Sequence, residues 1–240
     1  MKALTIGAGL LLSAAFAAVS SAHDITAASD GKVAPAFDIT KASAATDGRL
    51  VDFAMEVAGA AGSVKPNATG KLKGARVEAY VWPTRIDPEA AGFAKGSGIL
   101  ALAVTAHPDF DDTPLYDENN DGDPANDGAN WHSHWVVLGE DKACGAGLKV
   151  RDVSPGSDVL PATGPGLPIA LDSPGMSPLI KGTTVKITVP LEGQANAAFD
   201  AVTAELEVNA EGKAPLLCVV GVHKIASGKL TFPGKITEKK

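Results

Sequence analysis

The sequence predicts an all-β protein, an antiparallel β-sandwich with long irregular loops and very little helix. Apolar and polar residues alternate with a period of two along many short segments, which is typical of strands with one buried face. The 26 Gly and 16 Pro predict many turns between these segments. One helix start is convincing: Asp87 can cap it, Pro88 suits its first position, and Gly92 ends it within about two turns.

Eight strands are predicted from these patterns. Alternating apolar residues predict half-buried strands at 49–57, 76–82, 183–189 and 202–209. Continuous aliphatic runs predict central strands, covered on both faces, at 99–106 and 216–222. Shorter apolar segments predict two further strands at 134–138 and 148–153. The length of the chain falls within the size range of a single elaborated sandwich domain.

The first 22 residues have the pattern of an export signal. Lys2 is followed by an apolar stretch over 3–19, and small residues at 20–22 suit signal peptidase. Cleavage there would leave one domain, residues 23–240, without another apolar segment long enough to span a membrane. We therefore expect a periplasmic or secreted protein.

Two cysteines, Cys144 and Cys218, are present in the whole chain. In the oxidising compartment that an export signal implies, two cysteines usually pair. The sequence therefore predicts a Cys144–Cys218 disulfide.

The net charge of the chain and the absence of familiar catalytic motifs argue against several functions. A net charge of −7 argues against a nucleic-acid partner, because neutralising phosphates requires clustered Lys and Arg. The sequence has no G-x-S-x-G, no H-E-x-x-H and no Gly-rich phosphate loop. No catalytic residue is therefore predicted, and whether the protein is an enzyme stays open.

A long acidic region suggests a calcium site. Residues 96–141 contain ten Asp and Glu but no Lys or Arg. Within this region the order of residues matches the opening of a calcium-binding loop, with oxygen ligands at alternate positions and a Gly at the turn. The candidate ligands are Asp117, Asn119, Asp121 and Asp123. Gly128 occupies the position of the usual bidentate Glu, so a solvated acidic loop is the alternative.

Three of the five histidines flank the acidic region and form the sharper signal. His107 ends the predicted strand 99–106, while His132 and His134 begin the next strand. If these strands pair, His107 comes within reach of the other two, which point to one face because they are two residues apart. Converging imidazoles are typical of zinc and copper sites. A hydrogen-bonded structural cluster is the alternative.

The N-terminus after cleavage supplies another candidate ligand. Cleavage after Ala22 would make His23 the first residue, with a free amino group beside its imidazole. This arrangement resembles the histidine brace of secreted copper proteins such as lytic polysaccharide monooxygenases, and the resemblance implies copper chelation by His23 together with another His. A frayed N-terminus is the alternative.

A second resemblance to copper proteins lies near the C-terminus. The spacing from Cys218 to His223 resembles the copper loop of some cupredoxins, but Ser227 stands near the place of the family's Met. A disulfide at Cys218 would also remove the thiolate ligand.

The sequence thus predicts an exported β-sandwich that binds copper or zinc through its histidine cluster, as a binding or carrier module. One alternative is a copper-dependent oxidative enzyme built on His23. Another is an extracellular structural or adhesion domain stabilised by calcium and a disulfide.

Overall fold

A computed structural model describes residues 23–67, 73–107, 130–154, 156–164, 167–209 and 215–239. The strands, in chain order, are β1 (Ile25–Thr26), β2 (Ile39–Thr46), β3 (Leu50–Val57), β4 (Arg76–Pro83), β5 (Ile99–Ala106), β6 (His132–Glu140), β7 (Leu148–Val150), β8 (Leu171–Asp172), β9 (Leu179–Lys181), β10 (Thr184–Pro190), β11 (Ala198–Phe199), β12 (Val202–Val208), β13 (Leu217–Ile225), β14 (Gly234–Lys235) and β15 (Thr237–Glu238). The described helix is a single 3₁₀ turn at Pro88–Ala91.

Six strands close into a barrel. The order is β5-β4-β12-β13-β7-β6, and β6 then pairs with β5, so the two ends of the sheet meet. All the pairs around this ring are antiparallel. The short strand β8 adds to the edge of β6 that also pairs with β7.

An open sheet packs against one side of the barrel. Its order is β1-β2-β3-β10-β9, and β15 pairs in parallel with β2. The prediction of an all-β, mainly antiparallel protein is confirmed, but the architecture is barrel-like rather than a sandwich. The reason is the pairing of β13 with β7, which joins the two edges that an open sheet in the order β13-β12-β4-β5-β6-β7 would leave free.

Successive side chains along the barrel strands point in turn to the inside and the outside of the barrel, and so contribute to two separate hydrophobic cores. On β4, Tyr80 and Trp82 point outward into the core shared with the open sheet, where Tyr80 meets Phe37 and Trp82 meets Phe53. The intervening Ala79 and Val81 point into the barrel. Large aromatic side chains therefore lie between the two layers, while aliphatic side chains line the interior of the barrel.

The predicted helix start and all eight predicted strands are present, although β7 is shorter than the predicted strand 148–153. Asp87 caps the 3₁₀ turn by accepting a hydrogen bond from the Glu89 amide at 3.0 Å, and Gly92 ends it at φ 87°. Strand β13 departs from the prediction of a covered central strand, because most of its side chains are half-buried and Val222 is 41% exposed. Strand β2 was missed because its Ala and Ser residues give little contrast in hydropathy.

Candidate metal centre

The pairing of β5 with β6 brings the three histidines together at one end of the barrel. In this register Ala103 lies opposite His134, and Thr105 lies opposite His132. His107 continues the same inward-facing row of β5, two residues beyond Thr105. The predicted convergence of His107, His132 and His134 is confirmed.

The three rings are close enough to share one ion. One nitrogen of each of the three rings can be chosen so that all lie within 4.8 Å of one another. The Nε2 atoms of His107 and His132 are 2.8 Å apart, and the ring centroids of His132 and His134 are 4.6 Å apart. In a tetrahedral zinc site, neighbouring ligand nitrogens are about 3.3 Å apart. The His107–His132 pair is about half an ångström from that value, and pairs at the 4.8 Å bound would need shifts of about 1.5 Å.

Burial keeps two of these histidines neutral. All three are 4 to 6% exposed. Burial, with the neighbouring His107 as a smaller cause, lowers the pKa of His132 to about 3. Burial also lowers the pKa of His134 well below its ordinary value. Because neutral imidazole is the form that ligates a metal, the burial favours ligation.

Hydrogen bonds orient the rings. The Nδ1 of His132 lies 2.8 Å from the carbonyl oxygen of Asn130, which can only accept, so Nδ1 donates and the neutral ring keeps a lone pair on Nε2. The Nδ1 of His134 lies 2.8 Å from the Ser173 hydroxyl. Such contacts hold ligating histidines in position in metal sites.

The set of ligands favours borderline metals. Three imidazole nitrogens suit Zn²⁺ and copper, whereas Ca²⁺ and Mg²⁺ require oxygen ligands. Three protein ligands also leave a fourth tetrahedral position for water or another small molecule.

The two indoles beside the histidines belong to a different core. Trp131 and Trp135 alternate with His132 and His134 along the chain, so they point to the opposite face of the barrel wall. Trp135 is buried in the core shared with the open sheet, and the ring centroid of Trp131 lies 4.9 Å from that of Tyr80. These indoles pack between the layers instead of lining the histidine cluster.

The other predicted ligands are not part of this cluster. The four candidate calcium ligands lie outside the described residues, as do residues 1–22. His23 is exposed, and its carbonyl oxygen accepts a hydrogen bond from the Lys235 amide. The copper-brace interpretation of His23 stays a prediction.

The predicted disulfide is confirmed. Cys144 and Cys218 are bonded, with their Cα atoms 5.2 Å apart. Cys218 therefore supplies no thiolate, and His223 instead contacts Glu78, with 2.8 Å between Nε2 and Oε2. The resemblance to a cupredoxin loop does not extend to a copper site. A disulfide indicates an oxidising, non-cytoplasmic compartment.

Sequence reasoning missed Ser173 as part of the site. It is 39 residues from His134 in the chain, and no motif marks it. Only the pairing of β8 with β6 brings it beside the ring.

Comparison with known proteins does not identify the chain, since no family model, curated protein or solved structure matches it. Among the described residues, no helix has the length and apolar character needed to cross a membrane.

Proposed function

We propose that this protein is an exported metal-binding module that holds a copper or zinc ion at His107, His132 and His134. The observation that carries the proposal is the convergence of three buried imidazoles within 4.8 Å. The rings of His107 and His132 already contact each other through their Nε2 atoms, 2.8 Å apart. An ion would take the place of this contact and bind all three rings at once.

Charge and compartment support the proposal. The net charge of −7 favours the approach of cations. The disulfide agrees with the predicted export of the chain, and copper and zinc are both ligated by imidazole in exported proteins. The burial of the rings favours a firmly held ion over rapid transfer between partners.

Zinc and copper titrations of the exported, chelator-stripped protein test the proposal. We expect one ion per chain. Replacing His132 and His134 together with Leu should weaken binding by more than about a hundredfold, because a single remaining imidazole cannot hold the ion. Leu is preferred to Ala because both rings are buried, and Ala would leave voids.

His223→Ala is the matched control, since this histidine bonds Glu78 outside the cluster. It should leave zinc affinity unchanged. Equal affinities of wild-type protein and the double Leu variant would contradict the proposal.

The oxidative-enzyme alternative requires His23 to be the first residue of the exported protein. N-terminal sequencing of the exported protein shows whether His23 is the first residue. If it is, the brace interpretation requires copper affinity to fall in His23→Ala, whereas a site made by the cluster alone predicts no change.

A further inference from the structure

The barrel contains a cavity of about 130 Å³ beside the histidine cluster. Its walls are almost wholly apolar, and His107 and His134 border one end. A cavity of about 150 Å³ lined by aliphatic and aromatic side chains stays dry and binds benzene. The space in this barrel is thus of the size that accepts a single six-membered ring.

Small side chains in one layer of the barrel explain why the space exists. Strand register places Val222, Ala204, Ala79 and Thr105 in one row across four strands, next to His132. The two alanines lie in the middle of that row and are buried. Layers of small barrels are normally filled by side chains, so two adjacent alanines leave a gap.

One polar atom on the wall has no hydrogen-bond partner among the described residues. The Oγ1 of Thr105 is buried and makes no hydrogen bond within the part of the chain that the structure describes. Thr105 is 6% exposed and lines the cavity. A buried hydroxyl normally has a hydrogen-bond partner, and a ligand in the cavity could supply one.

The cavity also extends to the surface of the molecule. Val222 lines it and is 41% exposed. The exposed Val222, at the end of the alanine row, therefore lies where the cavity meets solvent.

We propose that the barrel interior binds a small, largely apolar molecule of single-ring size with one hydrogen-bonding group, of which phenol is the simplest example. The ring lies against Ala79 and Ala204, and its polar group meets the Thr105 hydroxyl. Among the described residues, the wall carries no ionisable side chain apart from the bordering histidines, which disfavours charged or highly polar molecules. This proposal rests on the cavity and holds whether or not the histidines bind a metal.

Titration of the metal-free protein with phenol and with benzene, followed by calorimetry and by amide NMR shifts, tests the proposal. Both should bind saturably at one site with shifts centred on β4 and β12. Ala204→Leu fills the cavity and should abolish both interactions, while Ala45→Leu, the same change on half-buried β2, should leave them intact.

A variant that enlarges the cavity covers the case in which Ala204→Leu does not fold. Leu206 is the next inward-facing residue of β12, and Leu206→Ala should admit the two-ring molecule indole, which the wild-type protein excludes. Absence of benzene and phenol binding to the folded wild-type protein would overturn the proposal, as would binding unaltered by Ala204→Leu.

Thr105→Val tests the polar contact, because it removes the hydroxyl and keeps the shape. The preference for phenol over benzene should fall by about two- to tenfold, the value of one neutral hydrogen bond. Thr40→Val, on the open sheet, is the control and should leave the preference unchanged. An unchanged preference in Thr105→Val would overturn the assignment of this contact. Zinc titration of the Ala204 and Thr105 variants separates the two proposals, since zinc affinity should be retained in both.

Discussion

The buried imidazoles make the metal-free protein sensitive to acid. In the unfolded chain His132 and His134 take up protons near pH 6.5. In the folded protein burial, and then the neighbouring histidines, lower the pKa of His132 to about 3 and that of His134 well below its ordinary value. Between about pH 6.5 and pH 3, the unfolded state therefore binds more protons than the folded state. The free energy of unfolding consequently falls as the pH is lowered through this range.

We predict that the free energy of unfolding of the metal-free protein falls below pH 6.5 by about 1.4 kcal/mol per pH unit for each of the two histidines. Urea denaturation in the presence of a chelator, at pH 7, 6 and 5, measures this slope. Above pH 7 the two rings should contribute no slope, because they are neutral in both states.

The double variant with Leu at positions 132 and 134 is the control for this slope. It lacks both groups and should lose much less stability between pH 7 and pH 5. Parallel losses in the variant and the wild-type protein would show that other groups cause the acid sensitivity.

At the scale of elements, the barrel has one weakly paired seam. Strand β7 meets β13 at a single residue pair, Lys149 with Cys218, whereas β5 and β6 pair along most of their length. The disulfide crosses this seam, because Cys144 lies in the turn between β6 and β7. The Ala146 amide adds a hydrogen bond to the Val219 carbonyl at 3.0 Å.

We predict that replacing Cys144 and Cys218 together with Ala lowers the free energy of unfolding by about 4 kcal/mol, the chain-entropy value for a loop of about 75 residues. Zinc affinity should stay within about threefold, because the histidines lie on the separate β5–β6 pairing. Denaturant unfolding and zinc titration of the variant check both parts. A loss of zinc affinity in the folded variant would show that the β7–β13 pairing affects metal binding by the histidine cluster.

At the scale of the whole molecule, residues 36–38 join the open sheet to the barrel. The carbonyl oxygen of Ala36 accepts a hydrogen bond from the Tyr80 hydroxyl at 2.9 Å, and that of Phe37 accepts one from Thr203 at 2.7 Å. The buried carboxylate of Asp38 forms an ion pair with Lys224 of β13. Burial by itself raises the pKa of Asp38, but its hydrogen bonds and the Lys224 charge outweigh burial and lower it.

We predict that Lys224→Met destabilises the protein at pH 7 by about 2 kcal/mol, because it leaves a buried carboxylate without its cation. The loss should be smaller than for a fully enclosed pair, since Ser29 and the Asp30 amide still donate to Asp38. Denaturant unfolding gives the value. Lys224→Met combined with Asp38→Asn should recover part of the loss, and no recovery would assign the effect to lost packing.

Local patterns in the sequence were sufficient to predict the class of the fold, most of the strands, the 3₁₀ turn and the disulfide. Each depends on neighbours in the chain or on composition: alternation for a strand, Asp-Pro at a helix start, and two cysteines in an exported chain. The candidate site was also predictable, because His107 and His132 end and begin strands that are consecutive in the chain, and consecutive strands usually pair.

Closure of the barrel, and everything that depends on it, was decided only by the tertiary structure. Strands β13 and β7 are far apart in the chain, so nothing local indicates that they meet and convert an open sheet into a ring. The same closure buries the three imidazoles, brings Ser173 to His134, and sets Ala79 beside Ala204 to leave the cavity. Alternation shows which side of a strand is apolar, but whether that side faces a second sheet or the interior of a barrel depends on pairing between distant strands.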